Sequence, residues 1–351
     1  KTIKTMEQNN SSKIWWWVGG VIVLVVVYLV ATGGSGVSPV AGQTVKIGFV
    51  TPLSGDAAAL GQEVEKLVSY RVKQINDAAG DTGTKFQFIY EDGKCSGNDS
   101  VSAFQKLTNI DGVKIIYGGG CSSATLGMAP LADQNKILLL SSLSSNPKIE
   151  GIGKYVLSLS YSDKKVAEDL ADEMKTYKKI AVITEQNDYN VGIHDAFINK
   201  IKSYPSVSVV SDETFPKSAS DFRSVLEKVK NTNPEAILLN PNVGVTAQNL
   251  IRQLAEMKNW SGYGLYSQFA YLSDSSRTAV GKFAEGMVII DAPSVNSPEL
   301  LAMMDAVIKD QGGTLDDLGN YYTASTLDAV NLITALIVKD GNDATKVRDD
   351  L

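Results

Sequence analysis

The sequence predicts an α/β fold with two lobes, each built on a parallel sheet, joined by a hinge. From Thr44 onward, short apolar runs alternate with segments whose apolar residues recur at helical spacing. This alternation is typical of parallel sheets with helices on both faces. About eleven strands would make one unusually large sheet, so we divide the chain. Lobe 1 is assigned to residues 44–160, lobe 2 to residues 161–286, and a return into lobe 1 to residues 287–351.

Lobe 1 begins with an apolar strand at residues 45–50, and a helix follows whose apolar residues share one face between Leu60 and Ile75. Its further strands are predicted at residues 86–90, 113–117 and 137–140, with a helix at 124–134. In lobe 2, strands are predicted at residues 180–184, 207–210 and 236–239, and helices at 164–176, 191–203, 222–230 and 246–257. A further strand is predicted at 287–290, in the segment that returns to lobe 1. A last helical pattern, at residues 321–338, is expected to pack on lobe 1.

Segments 155–161 and 287–293 are expected to cross between the lobes. Two lobes joined in this way form a hinged clamp whose closure buries a ligand. In parallel sheets the ligand lies beyond the carboxyl ends of the strands. The sequence therefore predicts a small-molecule site between the lobes.

An apolar segment at residues 14–31 is long enough to cross a membrane, since eighteen residues at about 1.5 Å each span roughly 27 Å. Lysines precede it and predict that residues 1–13 are cytoplasmic and that the chain after the segment is extracytoplasmic. Residues 32–43 are expected to form a flexible linker. The alternative is a signal peptide cleaved at the small residues 40–42. We expect the uncleaved helix to anchor the protein in the cell membrane.

Composition excludes several classes of function. The formal net charge is −6, whereas proteins that bind nucleic acid usually have a basic face. One histidine, His194, and two cysteines leave little for a metal site. Glycines 118–120 do not form a dinucleotide fingerprint, because that motif would need a further glycine at position 123. A serine hydrolase would need His194 as its base and a Gly-x-Ser-x-Gly elbow around its nucleophile. No such elbow surrounds Ser122 or Ser123. We therefore expect no catalytic residue, cofactor or metal.

Ser122 and Ser123 follow this glycine-rich turn at the predicted start of a helix. A helix start offers unpaired backbone N–H groups and a partial positive charge, which suit an anion such as a carboxylate. The simpler interpretation is that the serines only cap the helix. Cys95 and Cys121 are the two cysteines. In an oxidising compartment an even number indicates a disulfide, and the alternative is two buried thiols.

Five segments carry a family resemblance. They are IGFVTPLSG at 47–55, EDGKC at 91–95, GCSSAT at 120–125, SSLSSNP at 141–147 and DYNVG at 188–192. Together they resemble type 1 periplasmic binding proteins, and in particular the leucine/isoleucine/valine-binding proteins of ABC importers. The resemblance runs from about residue 45 to the end of the chain.

The resemblance implies two Rossmann-like lobes, a small-molecule ligand, an ABC permease as partner and a disulfide between Cys95 and Cys121. It implies that Ser122, with Ser123 beside it, holds the carboxylate of the ligand. Ser145 assists them, and Leu143 offers backbone groups. Tyr189 closes over the ligand from lobe 2. Family members usually continue beyond the point where this chain ends, so a truncated C-terminus is expected.

Two departures leave the ligand open. Leu60 stands where the family has an aromatic residue, and the segment 266–270 has no acid to pair with the ammonium of a ligand. Burying an ammonium without a counter-charge costs several kcal/mol. An amine-free carboxylate or a small amide therefore fits as well as an amino acid, unless Glu185 or Asp188 replaces the missing acid. Phe269, in the same segment, is a further candidate for ligand contact.

Some of these assignments also have a simpler, purely structural interpretation. Ser145 could be only a turn residue before Asn-Pro. Tyr189 could be a surface residue at the start of a helix, and Phe269 could belong to the core. The leading function is a solute receptor of an ABC importer, and the alternative is a sensory ectodomain that signals through a partner membrane protein.

Overall fold

The computed structural model describes residues 42–217, 219–257, 262–272, 274–293 and 295–351. Within them the chain forms the two predicted α/β lobes, each with a five-stranded parallel sheet. The predicted membrane anchor at residues 14–31, the preceding residues 1–13 and nearly all of the linker at 32–43 lie outside the described residues.

The first sheet consists of strands in which most residues are buried or partly buried. They are β1 (Thr44–Thr51), β2 (Lys85–Asp92), β3 (Ile115–Gly118), β4 (Leu138–Ser141) and β5 (Val156–Ser158). Helices α1 (Ala58–Ala79), α2 (Gly97–Asn109) and α3 (Ser122–Asn135) connect the first four of them. The sheet order is β2-β1-β3-β4-β5. Every residue of β3 and β4 is buried, as expected for parallel strands with helices on both faces.

The second sheet repeats this construction. Its strands are β6 (Lys179–Gln186), β7 (Ser208–Pro216), β8 (Ala236–Asn240), β9 (Gly264–Ser267) and β10 (Val288–Ile289), in the order β10-β9-β8-β6-β7. Its helices are α4 (Asp163–Met174), α5 (Asp188–Ile201), α6 (Arg223–Asn231), α7 (Val245–Glu256) and α8 (Asp274–Val280). Since β10 pairs with β9, the second sheet continues past residue 286, and the return into lobe 1 begins after Ile289 rather than at residue 287.

The last three helices belong to the first lobe. They are α9 (Pro298–Gln311), α10 (Gly319–Asp340) and α11 (Ala344–Asp350). Val330, Ile333 and Ile337 of α10 are buried in the same cluster as Phe49 and Leu67. Among the described residues, α10 is the one helix that is long and apolar enough to cross a membrane by length and composition. Its burial in this core accounts for that composition.

The glycine-rich turn places the start of α3 at the carboxyl edge of the first sheet. Gly118 has a φ of +131°, and a Cβ there would lie 2.2 Å from the carbonyl oxygen of Val50. Only glycine fits this close approach to β1. The turn therefore brings Ser122, the first residue of α3, to the edge that faces the second lobe.

Candidate functional site

A cavity lies between the lobes, and all seven residues predicted from the sequence line it. From the first lobe the lining residues are Ala57, Leu60, Cys95, Gly120, Cys121, Ser122, Ser123, Leu143, Ser145 and Tyr322. From the second lobe they are Asn187, Tyr189, Lys217, Asn242, Val243 and Phe269. The structure thus brings the predicted site residues together, while their contact with a ligand stays a prediction.

The start of α3 forms one end of this cavity. Cys95 and Cys121 form the disulfide, with Cα atoms 5.2 Å apart, and Cys121 is the residue directly before the helix. Ser122 is 2% exposed, and its Oγ accepts a hydrogen bond from the Asn146 N–H at 3.3 Å. Ser123 Oγ accepts one from the Asp188 N–H of the second lobe at 3.4 Å. Neither serine caps α3, because both lie inside the helix and no side chain bonds at its N-cap.

Ser145 bonds to an acid behind the wall of the cavity. Its hydroxyl donates to Asp163 Oδ2 at 2.9 Å, so it does more than form a turn. Asp163 is fully buried, and its other carboxyl oxygen has no hydrogen-bond partner among the described residues. Burial raises the pKa of Asp163 to about 8, although the bond from Ser145 opposes the shift. Leu143, on the same loop, has a nearly buried side chain.

Tyr189 forms part of the wall that the second lobe contributes. It lies at the start of α5, and its hydroxyl donates to Gln268 Oε1 at 3.0 Å. The amide of Gln268 in turn donates to the Pro241 carbonyl oxygen at 2.6 Å. Burial raises the pKa of the Tyr189 hydroxyl well above its usual range. Tyr189 is therefore part of the cavity wall, and its hydroxyl bonds to a neutral amide.

Phe269 and Leu60 form apolar parts of the lining. The Phe269 ring lies edge-on to Tyr322, with ring centroids 5.2 Å apart. Although Phe269 follows β9 of the second lobe, it packs against the core cluster of the first. Leu60 is 9% exposed and belongs to the same cluster. Each residue therefore contributes to both the core and the cavity.

Neither acid considered as a substitute counter-charge lines the cavity. Asp188 has an exposed side chain, and only its backbone contacts the first lobe. Glu185 is 1% exposed. Its carboxylate accepts bonds from the Asn242 N–H at 2.9 Å and from Asn187 Nδ2 at 3.0 Å. Because Asn187 and Asn242 are the lining residues, Glu185 lies behind the wall, where burial raises its pKa.

A cluster of tyrosines and acids joins the two segments that cross between the lobes. Tyr161, on the first segment, donates its hydroxyl to Asp291 Oδ1, on the second, at 2.6 Å. The Tyr161 hydroxyl lies 3.0 Å from that of Tyr322, which lines the cavity. Burial raises the pKa of Asp291 to about 6. Tyr322 therefore connects the cavity to the segments that cross between the lobes.

Lys217, Tyr322, Asn187 and Asn242 line the cavity although sequence reasoning missed them. Lys217 directly follows β7, at the edge where parallel sheets bind ligands, and that position was the available signal. Nothing in the chain near Tyr322 points to a ligand, because it lies on a core helix.

His194 plays no part in the cavity. It lies on α5, and its Nε2 is 3.0 Å from both carboxyl oxygens of Asp212. Among the described residues, no group of three histidine, cysteine or acidic side chains is arranged to hold a metal ion. These contacts are those of a helix histidine on the surface of the second lobe.

Known proteins resemble the chain across both lobes. The sequence pattern of the periplasmic binding protein family matches residues 44–351. An amino acid binding protein of Pseudomonas aeruginosa is 25% identical over 332 residues, which are 90% of this chain and 84% of that protein.

Two solved structures share the fold. A solute binding protein of an ABC transporter from R. palustris, in complex with 4-hydroxybenzoate, has a TM-score of 0.75 at 20% identity, over 87% of this chain and 83% of the other. A branched-chain amino acid transporter substrate binding protein from Streptococcus pneumoniae, in complex with isoleucine, has a TM-score of 0.74 at 22% identity, over 88% and 87%. The family whose pattern matches residues 44–351 consists of binding proteins, so this chain is a binding protein rather than an enzyme. The chain belongs to the periplasmic binding protein family, as a type 1 member related to the leucine/isoleucine/valine-binding proteins.

Proposed function

We propose that this protein is the extracytoplasmic solute receptor of an ABC importer and binds a carboxylate-bearing small molecule between its two lobes. The observation that carries the proposal is the start of α3, which faces Tyr189 and Phe269 across the cavity. Relatives of the chain are named as parts of ABC transporters, which supports an ABC permease as the partner. The proposal includes anchoring by the N-terminal apolar segment at residues 14–31.

The carboxylate would bind to groups that have no other partner. The Ser122 Oγ accepts a bond from Asn146, and its own proton has no acceptor among the described residues. The backbone N–H groups of Ser122 and Ser123 have no backbone acceptor in the described chain either. Three donors at a helix start are a favourable arrangement for an anion. Burial strengthens such charge-assisted bonds.

In the closed form, lobe 2 would contact lobe 1. Lobe 1 consists of residues 44–160 and the segment that returns after Ile289. Hydrogen bonds already connect the lobes beside the cavity. The Asp188 N–H donates to Ser123 Oγ, and the Asn146 side-chain amide donates to the Asp188 carbonyl oxygen. A ligand favours closure only by as much as it binds the closed form better than the open form. A ligand held by Ser122 and covered by Tyr189 meets this condition, because the two residues belong to different lobes.

A thermal-shift screen tests the proposal. The panel holds amino acids, aliphatic and aromatic carboxylates, amides and sugars. We expect at least one carboxylate-bearing compound to raise the melting temperature, since a ligand at 100 times its Kd stabilises by about 2.7 kcal/mol. Sugars serve as the negative controls. Stabilisation by sugars alone, or by no compound, would contradict the proposal.

Replacing Ser122 with alanine is expected to weaken binding of the ligand found in that screen by about 1–3 kcal/mol, because a hydrogen bond to a charged group is lost. Isothermal titration calorimetry measures the change in Kd. Ser102→Ala is the matched control, since Ser102 is exposed on α2 and bonds only to its own helix. An unchanged Kd for Ser122→Ala would show that the carboxylate does not bind at this end of the cavity.

A further inference from the structure

We propose that Lys217 determines the specificity of the site and selects ligands of net negative charge, that is, carboxylates without a compensating amino group. This inference rests on the proposed function, because it concerns the charge of the ligand that the same cavity takes. Lys217 would distinguish amine-free acids from amino acids. Without Lys217, the cavity could accept both classes equally.

The Lys217 ammonium lies where the two lobes meet. Lys217 belongs to the second lobe, and its Nζ lies 3.3 Å from the carbonyl oxygens of both Lys94 and Cys95 in the first lobe. Cys95 is bonded to Cys121, which directly precedes α3. Closure therefore brings this ammonium to the end of the cavity where the start of α3 offers its donors.

The ammonium of Lys217 has capacity left for an anion. An ammonium has three N–H donors, and the two carbonyl oxygens account for two of them. Within the described ranges, no carboxylate oxygen lies within 4 Å of Nζ, since Lys217 forms no ion pair there. A carboxylate held at Ser122 would therefore meet a second positive group, from the opposite lobe.

The other lining residues provide no balancing negative charge. Among the described residues that line the cavity, Lys217 has the one charged side chain. Glu185 and Asp163 lie behind the wall, and burial raises the pKa of both carboxyls, although the charge of Lys217 opposes part of the shift at Glu185. With a pKa of about 8, Asp163 is mostly neutral at pH 7. The cavity is therefore positive at its α3 end and close to neutral elsewhere.

The side-chain oxygen nearest the Tyr189 hydroxyl is already in use. The Gln268 Oε1 behind Tyr189 already accepts bonds from the Tyr189 hydroxyl and from the Ala270 N–H. Ser145 donates its proton to Asp163 and its Oγ can still accept a hydrogen bond, but a single hydroxyl does not compensate a buried ammonium. An amino acid would therefore bind more weakly than an amine-free acid of the same shape.

Matched pairs of ligands test this inference on the full-length protein in detergent. Each pair differs only by the amine, as in 4-methylpentanoate against leucine and 3-phenylpropanoate against phenylalanine. We expect calorimetry to show the amine-free acid of at least one pair binding the wild type at least tenfold more tightly. Lys217→Gln should weaken binding of that acid by tenfold or more and reduce the preference. Lys217→Arg should keep the preference, and Lys202→Gln, at an exposed lysine after α5, should change neither.

The outcomes separate the two levels of the proposal. If the amino acid of each pair binds the wild type more tightly, the inference about charge is wrong and the receptor function stands. If Lys217→Gln melts like the wild type and keeps the full preference, Lys217 is not the selecting residue. If the wild type binds neither class nor any other carboxylate, the proposed function itself fails.

Discussion

The free energy of unfolding is expected to fall as the pH rises from 5 to 8, and Asp163→Asn should remove most of that fall. Burial raises the pKa of Asp163 to about 8, whereas an aspartate in an unfolded chain titrates near 3.9. Between these values the folded protein holds a proton that the unfolded chain releases, so stability decreases by up to about 1.4 kcal/mol per pH unit. Asp291, with a pKa of about 6, adds a contribution of the same sign below pH 6.

Urea denaturation at pH 5, 6, 7 and 8 measures this dependence for the wild type and for Asp163→Asn. The asparagine keeps an acceptor for the Ser145 hydroxyl and has no proton to release. Asp81→Asn is the control, since Asp81 is exposed in the first lobe. Equal slopes for the wild type and Asp163→Asn would show that Asp163 does not carry the effect.

Loss of the disulfide is expected to lower the free energy of unfolding by roughly 3 kcal/mol, because Cys95 and Cys121 close a loop of about 26 residues. Urea denaturation with and without a reductant measures the change. The double variant Cys95→Ala/Cys121→Ala is the control for other effects of the reductant, and its midpoint should not move. An unchanged wild-type midpoint, with both thiols reactive after reduction, would contradict this expectation.

The sequence predicted the fold well because the strands are buried on both faces. β3 and β4 are continuous apolar runs, and α1 has a regular apolar stripe. These patterns follow from local geometry. The boundary at residue 286 was less accurate, because the strand predicted at 287–290 pairs with β9 of the second lobe, and no local pattern shows which sheet an edge strand joins.

The site was predictable only where a motif carried it. Ser122, Ser145 and Tyr189 come from segments that resemble the family, and the structure places all three at one cavity. Lys217 reaches the same cavity by contacting Cys95, 122 residues earlier in the chain. The position of Lys217 directly after β7 is a local signal, but its contact with Cys95 depends on how the two lobes close. For the same reason Tyr322 has only the pattern of a core residue.

The bond between Tyr161 and Asp291 bears on how the lobes move. Each residue belongs to one of the two segments that connect the lobes, and the bond holds these segments together. Segments joined at one point cannot slide past each other, so we expect opening to be a rotation about a single axis near this pair. Such a rotation would give the open and the closed receptor different outer surfaces. Such a difference would let a membrane transporter distinguish a loaded receptor from an empty one.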